Sequence, residues 1–225
     1  MPTPRPDLAV RPTDLTPSPT TFLPVVVVVD TSGSMEGAPI RELAAGIEQF
    51  FRDVDADEDA REACEIAIVE VGGEARVVRG FAPARDGARV CLDAGGVTPM
   101  GEGVTLAVEL LERRKRDYSA SGLRYFQPWL VILTDGKPTD PTTAAEARVA
   151  ELVKARKLTV FPVATGPDAD LARLEALAGG VKPARLAGLA FRELFRWLSA
   201  SMSVVSRSRA GTGVALPSSF AWIET

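Results

Sequence analysis

Leu23-Pro-Val-Val-Val-Val-Val-Asp30 decides the fold. An unbroken run of valines, instead of an apolar–polar alternation, is the pattern of a parallel strand covered on both faces. The run stops at an aspartate. Trp129-Leu-Val-Ile-Leu-Thr-Asp135 repeats the arrangement, so a second buried strand is expected there.

Working outward from Asp30, Pro39 suits a first helical turn, and Ile40, Leu43, Ile47, Phe50, Phe51 and Val54 recur on one helical face. A helix over residues 39–54 follows. The stretch Asp53 to Glu62 reads as an acidic loop. Cys64-Glu-Ile-Ala-Ile-Val-Glu-Val71, Gly72-Gly73 and Glu74-Ala-Arg-Val-Val-Arg-Gly-Phe81 then predict a hairpin and one antiparallel edge strand. Residues 101–116 carry Val104, Ala107, Val108 and Leu111 on one stripe, and the cationic Arg113-Arg-Lys-Arg116 reads as the C-terminal end of that helix. Residues 117–127 read as a polar loop. Thr143 and Glu146 have the spacing of a capping box, Leu158 to Thr165 reads as a further strand despite Pro162, and Leu171, Leu174 and Leu177 mark the next helix. Phe191, Leu194, Phe195, Leu198 and Met202 mark the last. Alternation of strands and helices implies an α/β fold: a three-layer, open, mostly parallel sheet with helices on both faces and sites beyond the carboxyl ends of the strands.

Composition narrows the function. The 225 residues carry a net charge of −4, which speaks against nucleic-acid binding by phosphate neutralisation. No histidine is present, so imidazole bases and histidine-based zinc sites are excluded. Cys64 and Cys91 cannot build a disulfide framework and suit a reducing compartment. Residues 1–21 form a Pro-rich arm without the apolar core of a secretory signal; seven of the 17 prolines fall in the first 24 residues. The five-valine run is far below the roughly 20 residues needed to cross a bilayer. The expectation is a cytoplasmic protein without a membrane partner, its domain spanning 22–203 and a tail following over 204–225.

Asp30-Thr31-Ser32-Gly33-Ser34 crowds one carboxylate and two serine hydroxyls into a single turn. Such oxygens suit a hard divalent cation. Taken alone, the same residues serve equally well as the cap of the following helix. Two further stretches offer oxygens at the same end of the sheet: Gly95-Gly-Val-Thr98-Pro-Met-Gly101 and Thr134-Asp135-Gly136.

Asp-x-Ser-x-Ser at 30–34, the glycine-flanked Thr98 and Thr-Asp-Gly at 134–136 resemble the von Willebrand factor A (VWA) domain, over about residues 22–203. Within that family the wording is most similar to small bacterial tellurite-resistance proteins of the TerY type. The resemblance implies a metal-ion-dependent adhesion site. In it Ser32, Ser34 and Thr98 supply hydroxyls, Asp30 and Asp135 act directly or through water, and Mg²⁺ (or Mn²⁺ or Ca²⁺) is the occupant. It further implies a non-enzymatic module whose ion accepts a carboxylate from a partner protein, within a stress-response assembly. Two other classes compete less well. A haloacid-dehalogenase-type phosphotransferase would use Asp30 as nucleophile, but its second aspartate is replaced by Ser32. A nucleotide-binding domain lacks both glycine-rich phosphate fingerprints.

Overall fold

The computed structural model describes residues 20–86, 90–209, 213–218 and 222–224; residues 1–19, nearly all of the Pro-rich arm, lie outside them. β1 (Leu23–Asp30) is the central strand, and each of its valines is at most 1% exposed. Alternate side chains explain this. Val25, Val27 and Val29 enter the core on one face of the sheet, while Val26 and Val28 enter the core on the other.

The first core is closed by α1 (Ala38–Ala56) and α6 (Phe191–Ser206), whose Phe50 and Phe195 rings lie 5.4 Å apart. The second is closed by α3 (Met100–Ala120), α4 (Thr143–Lys154) and α5 (Leu171–Leu177). Between these layers lie β2 (Cys64–Gly72), β3 (Glu74–Pro83), β4 (Trp129–Thr134), β5 (Thr159–Ala164) and β6 (Ala184–Arg185), in the order β3-β2-β1-β4-β5-β6. Every pairing is parallel except β2 with β3, so the sheet is mostly parallel with one antiparallel edge strand, as the sequence predicts. β1 has β2 on one side and β4 on the other. The connections leave in opposite directions there, which opens a crevice beyond the ends of β1 and β4.

Several local expectations are corrected. Residues 53–62 are not simply a loop: α2 (Glu58–Ala63) forms there, because the Asp57 carboxylate accepts the Ala60 N–H at 3.0 Å and caps it. Only Gly73 (φ 73°) takes positive φ in the hairpin turn. Arg113–Arg116 is not a helix end. α3 continues to Ala120, through the first residues of the expected polar loop, because Arg114 and Tyr118 face inward onto the buried Glu65. The residue ahead of α4 is Thr142, not Thr143, and its hydroxyl donates to the Glu146 carboxylate at 2.6 Å. Pro162 is accommodated since β6 pairs only with Val163 and Ala164. α6 runs on to Ser206, past residue 203.

Beyond α6 the chain returns to the body. Ile223 forms an antiparallel bridge with Leu186, Ala187 donates to the Trp222 carbonyl at 2.8 Å, and the Trp222 side chain is buried. Among the described residues no helix is long and apolar enough to cross a membrane.

Candidate metal centre

Asp30 ends β1 inside the molecule, not at a solvent edge: it is 1% exposed. One carboxylate oxygen accepts the Ser32 N–H at 2.9 Å, and the other accepts the Thr134 hydroxyl at 2.6 Å. The first closes the turn after β1, and the second joins the ends of β1 and β4. After Asp30 the chain passes through an extended Ser32 into a short 3₁₀ turn over Gly33–Met35, which brings Ser34 back over the loop. The Ser32 and Ser34 hydroxyl oxygens are 3.1 Å apart, and the Ser34 hydroxyl donates to the Asp135 carboxylate at 2.8 Å.

The glycine-rich loop is held against this turn by backbone bonds. Gly95 N–H donates to the Thr31 carbonyl at 2.8 Å, and Gly33 N–H donates to the Gly96 carbonyl at 3.1 Å. Gly96 (φ 71°) lies so close to the hairpin that a Cβ on it would stand 2.5 Å from the Gly73 Cα. Only glycine fits. Thr98, largely buried, follows from that loop; its carbonyl accepts the Thr139 N–H at 2.9 Å, and its hydroxyl lies 3.9 Å from where a Cβ on Gly136 would stand. All five predicted residues, Asp30, Ser32, Ser34, Thr98 and Asp135, thus gather at the carboxyl ends of β1 and β4.

Burial pushes the Asp135 carboxyl above its usual range; the hydrogen bond from Ser34 opposes this, and the charges of Asp30 and Asp168 add to it. Two carboxylates and three hydroxyls, with no imidazole in the chain and no thiol among the five, make an all-oxygen donor set. That chemistry fits a hard divalent cation. No cluster of three or more acidic, His or Cys side chains able to hold a metal occurs among the described residues, so hydroxyls must supply much of any shell here.

Supporting residues escape a reading by motif. Thr134 fixes Asp30. Glu70, buried in β2, accepts the Thr31 hydroxyl at 3.1 Å and pairs with Arg76 at 2.6 Å, so the turn is braced from the neighbouring strand. Asp140 accepts the Gly101 and Glu102 N–H groups at 3.0 and 2.8 Å, capping α3 from the loop that follows Asp135. Thr134 stands in the Thr-Asp-Gly motif itself, though the motif does not foretell its bond to Asp30; Glu70 and Asp140 have only the folded chain to reveal them.

The family model of the von Willebrand factor type A domain matches residues 25–191. The chain belongs to the von Willebrand factor type A family. This VWA domain is 26% identical over 163 residues to inter-alpha-trypsin inhibitor heavy chain H4 of Sus scrofa, a match covering 68% of this chain and 17% of that protein. Its fold superposes on a von Willebrand factor type A protein of Catenulispora acidiphila at TM-score 0.61, with 22% identity over 82% of this chain and 43% of the other. The pilus adhesin SpaC of Lactobacillus rhamnosus GG aligns at TM-score 0.66, with 12% identity over 84% of this chain and 31% of the adhesin. The chain therefore spans about a sixth of its curated relative and under half of these two structures. VWA domains are generally protein-interaction modules and are often metal-dependent.

Proposed function

We propose that this VWA domain is a binding module, not an enzyme, which holds Mg²⁺ at Asp30, Ser32, Ser34, Thr98 and Asp135 and thereby captures an acidic residue of a partner protein. The observation that carries the reading is the Ser32–Ser34–Asp135 hydroxyl–carboxylate chain, with contacts of 3.1 and 2.8 Å, across two stretches a hundred residues apart in sequence. When bound, the ion supplies Lewis acidity toward a partner carboxylate, since neutral hydroxyls in its shell leave much of its charge uncompensated. The chain's own residues do the positioning. Thr134 and the Ser32 N–H hold Asp30 in one rotamer, the glycine-rich loop presents Thr98, and Ser34 stands at the open, exposed side of the site. The resemblance to TerY-type proteins read from the sequence extends the proposal to a tellurite- or stress-resistance assembly.

The test is capture of partner protein from cell lysate by immobilised domain in Mg²⁺, in EDTA, and by Thr98→Ala. Loss under chelation, recovery on adding Mg²⁺ or Mn²⁺, and loss in the variant are expected. Capture indifferent to chelation would overturn the proposal.

A further inference from the structure

Arg113-Arg-Lys-Arg116 lies inside α3, ahead of a last turn that holds no cation, so the helix dipole does not account for it. Arg114 turns inward onto Glu65, and Lys115 pairs with Glu112. Arg113 and Arg116 are exposed one turn apart, with no acidic partner among the described residues. Like charges at that spacing disfavour a helix. Arg156, just past the end of α4, breaks a second local rule: its φ of 55° is the one positive value outside glycine among the described residues. Glycine would make that turn without strain, and Lys154, in the last turn of α4, already serves its dipole. Two clefts collect these cations. A groove of about 570 Å³ between α3 and α4 is lined by Arg113, Arg116 and Arg148, and a cleft of about 820 Å³ at the amino ends of β4 and β5 by Lys115, Arg148, Arg156 and Lys157. They meet at Glu112 and Arg148. Glu112 is engaged by Lys115 and Arg148, and Glu151 by Arg148, which leaves Glu109 as the one unpaired acid against Arg113, Arg116, Arg156 and Lys157. In a chain of net charge −4 this surface is positive.

We propose that the joined groove and cleft form a second interaction surface, which binds an acidic segment of a partner protein without help from the metal ion. Its place argues the independence: Pro128, Trp129 and Thr159 line the cleft at the amino ends of β4 and β5, whereas the candidate metal centre lies beyond the carboxyl ends of the strands. Charge complementarity selects the occupant. Arginine forks pair with carboxylates, and local preference is overruled at two separate places to keep arginine there. Exposed Ala144 and the half-buried Tyr125, Phe161, Val214 and Leu216 add apolar surface between the cations. Interspersed glutamates and apolar patches suit carboxylates spaced along a protein; a continuous phosphate chain would meet Glu109, Glu112 and Glu151 as well.

The experiment measures fluorescence polarisation of a fluorescein-labelled peptide of four Glu-Glu-Leu repeats, and of its Gln-Gln-Leu counterpart, at about 50 mM salt, where exposed charges are only partly screened. Wild type is compared with Arg113→Gln/Arg116→Gln and with Arg156→Gly. The acidic peptide is expected to bind in EDTA as well as in Mg²⁺, and at least about tenfold more tightly than the glutamine peptide. The double variant should weaken it about tenfold, since two arginine–carboxylate pairs are lost. Arg156→Gly should weaken it severalfold without lowering the melting temperature, a combination that a purely structural role for Arg156 does not give. Absence of acidic-peptide binding at millimolar concentration, or binding unaltered in both variants, overturns the proposal and leaves the metal site standing. Binding that requires Mg²⁺ would place the peptide at the metal centre and overturn it too. Tighter binding of oligothymidylate than of the acidic peptide would assign the surface to nucleic acid instead.

Discussion

Asp30→Asn separates the structural and the ligating duties of one buried carboxylate. The side chain keeps its shape, so the amide oxygen can still accept the Ser32 N–H, and the amide nitrogen can donate to the Thr134 hydroxyl oxygen, which also receives the Gly136 N–H at 3.3 Å. Two hydrogen bonds to a charged acceptor become neutral ones, a loss of about 1 kcal/mol each. Removing a negative charge that faces Asp135 returns part of this. The expected net destabilisation is about 1–2 kcal/mol, a fall in Tm of roughly 2–8 °C for a domain of this size. Metal affinity suffers far more. A single charge about 4 Å from a divalent ion at an effective dielectric of about 20 contributes roughly 8 kcal/mol before desolvation. If only a third of that survives, Kd rises about a hundredfold. Urea denaturation and calorimetric titration with Mg²⁺ and Mn²⁺ read the two effects on the same protein. Unchanged cation affinity would remove Asp30 from the site, and outright unfolding would refute the hydrogen-bond reasoning.

Three other perturbations probe the frame around the site. Glu65→Ala strands the buried Arg114 guanidinium, which Glu65 binds at 2.7 and 2.5 Å, so stability should fall by about 3–5 kcal/mol in urea melts, whereas Glu65→Leu combined with Arg114→Met should recover most of it. Gly101→Ala sets a Cβ 2.5 Å from the Pro141 carbonyl oxygen and 2.9 Å from an Asp140 carboxylate oxygen. After the better helix propensity of alanine is allowed for, a loss of about 1–2 kcal/mol and a weaker Mg²⁺ titration are expected, since the displaced loop follows Asp135. Burial pulls the Asp57 carboxyl up, but the Ala60 N–H, the Ser203 hydroxyl and Arg207 outweigh it and hold the group below its usual range. A carboxyl depressed on folding stabilises the protein above its unfolded-state pKa, and that stabilisation is lost as pH falls through the folded value. The stability difference between wild type and Arg207→Ala should thus be measurable at neutral pH, begin to shrink near the ordinary carboxyl pKa of about 4, and vanish only once pH falls below the depressed folded value.

The architecture was legible because burial on both faces leaves a compositional trace: a strand with no solvent side has no reason to alternate, and LPVVVVVD and WLVILTD do not. That Asp30 and Asp135 would come together was legible because each stands at the carboxyl end of a buried parallel strand, and such strand ends lie side by side. Long-range satisfaction of buried polar groups leaves no such trace. Nothing local in Cys64-Glu65-Ile66 announces that its carboxylate will meet Arg114 and Tyr118, yet that pairing explains why α3 runs through a cationic stretch to Ala120. The fold-back of Trp222 and Ile223 onto β6 and the neighbouring Leu186 is likewise a tertiary outcome, set by an apolar edge that exists only once the sheet has formed.

Central to this account is one divalent ion held by oxygens from three stretches of chain. Crystals of the domain equilibrated with millimolar Mn²⁺, measured for anomalous scattering, test it most directly. The prediction is a single strong peak bounded by Asp30, Ser32, Ser34, Thr98 and Asp135, displaced when Mg²⁺ is added in excess. No peak there, or a peak elsewhere on the molecule, would contradict it.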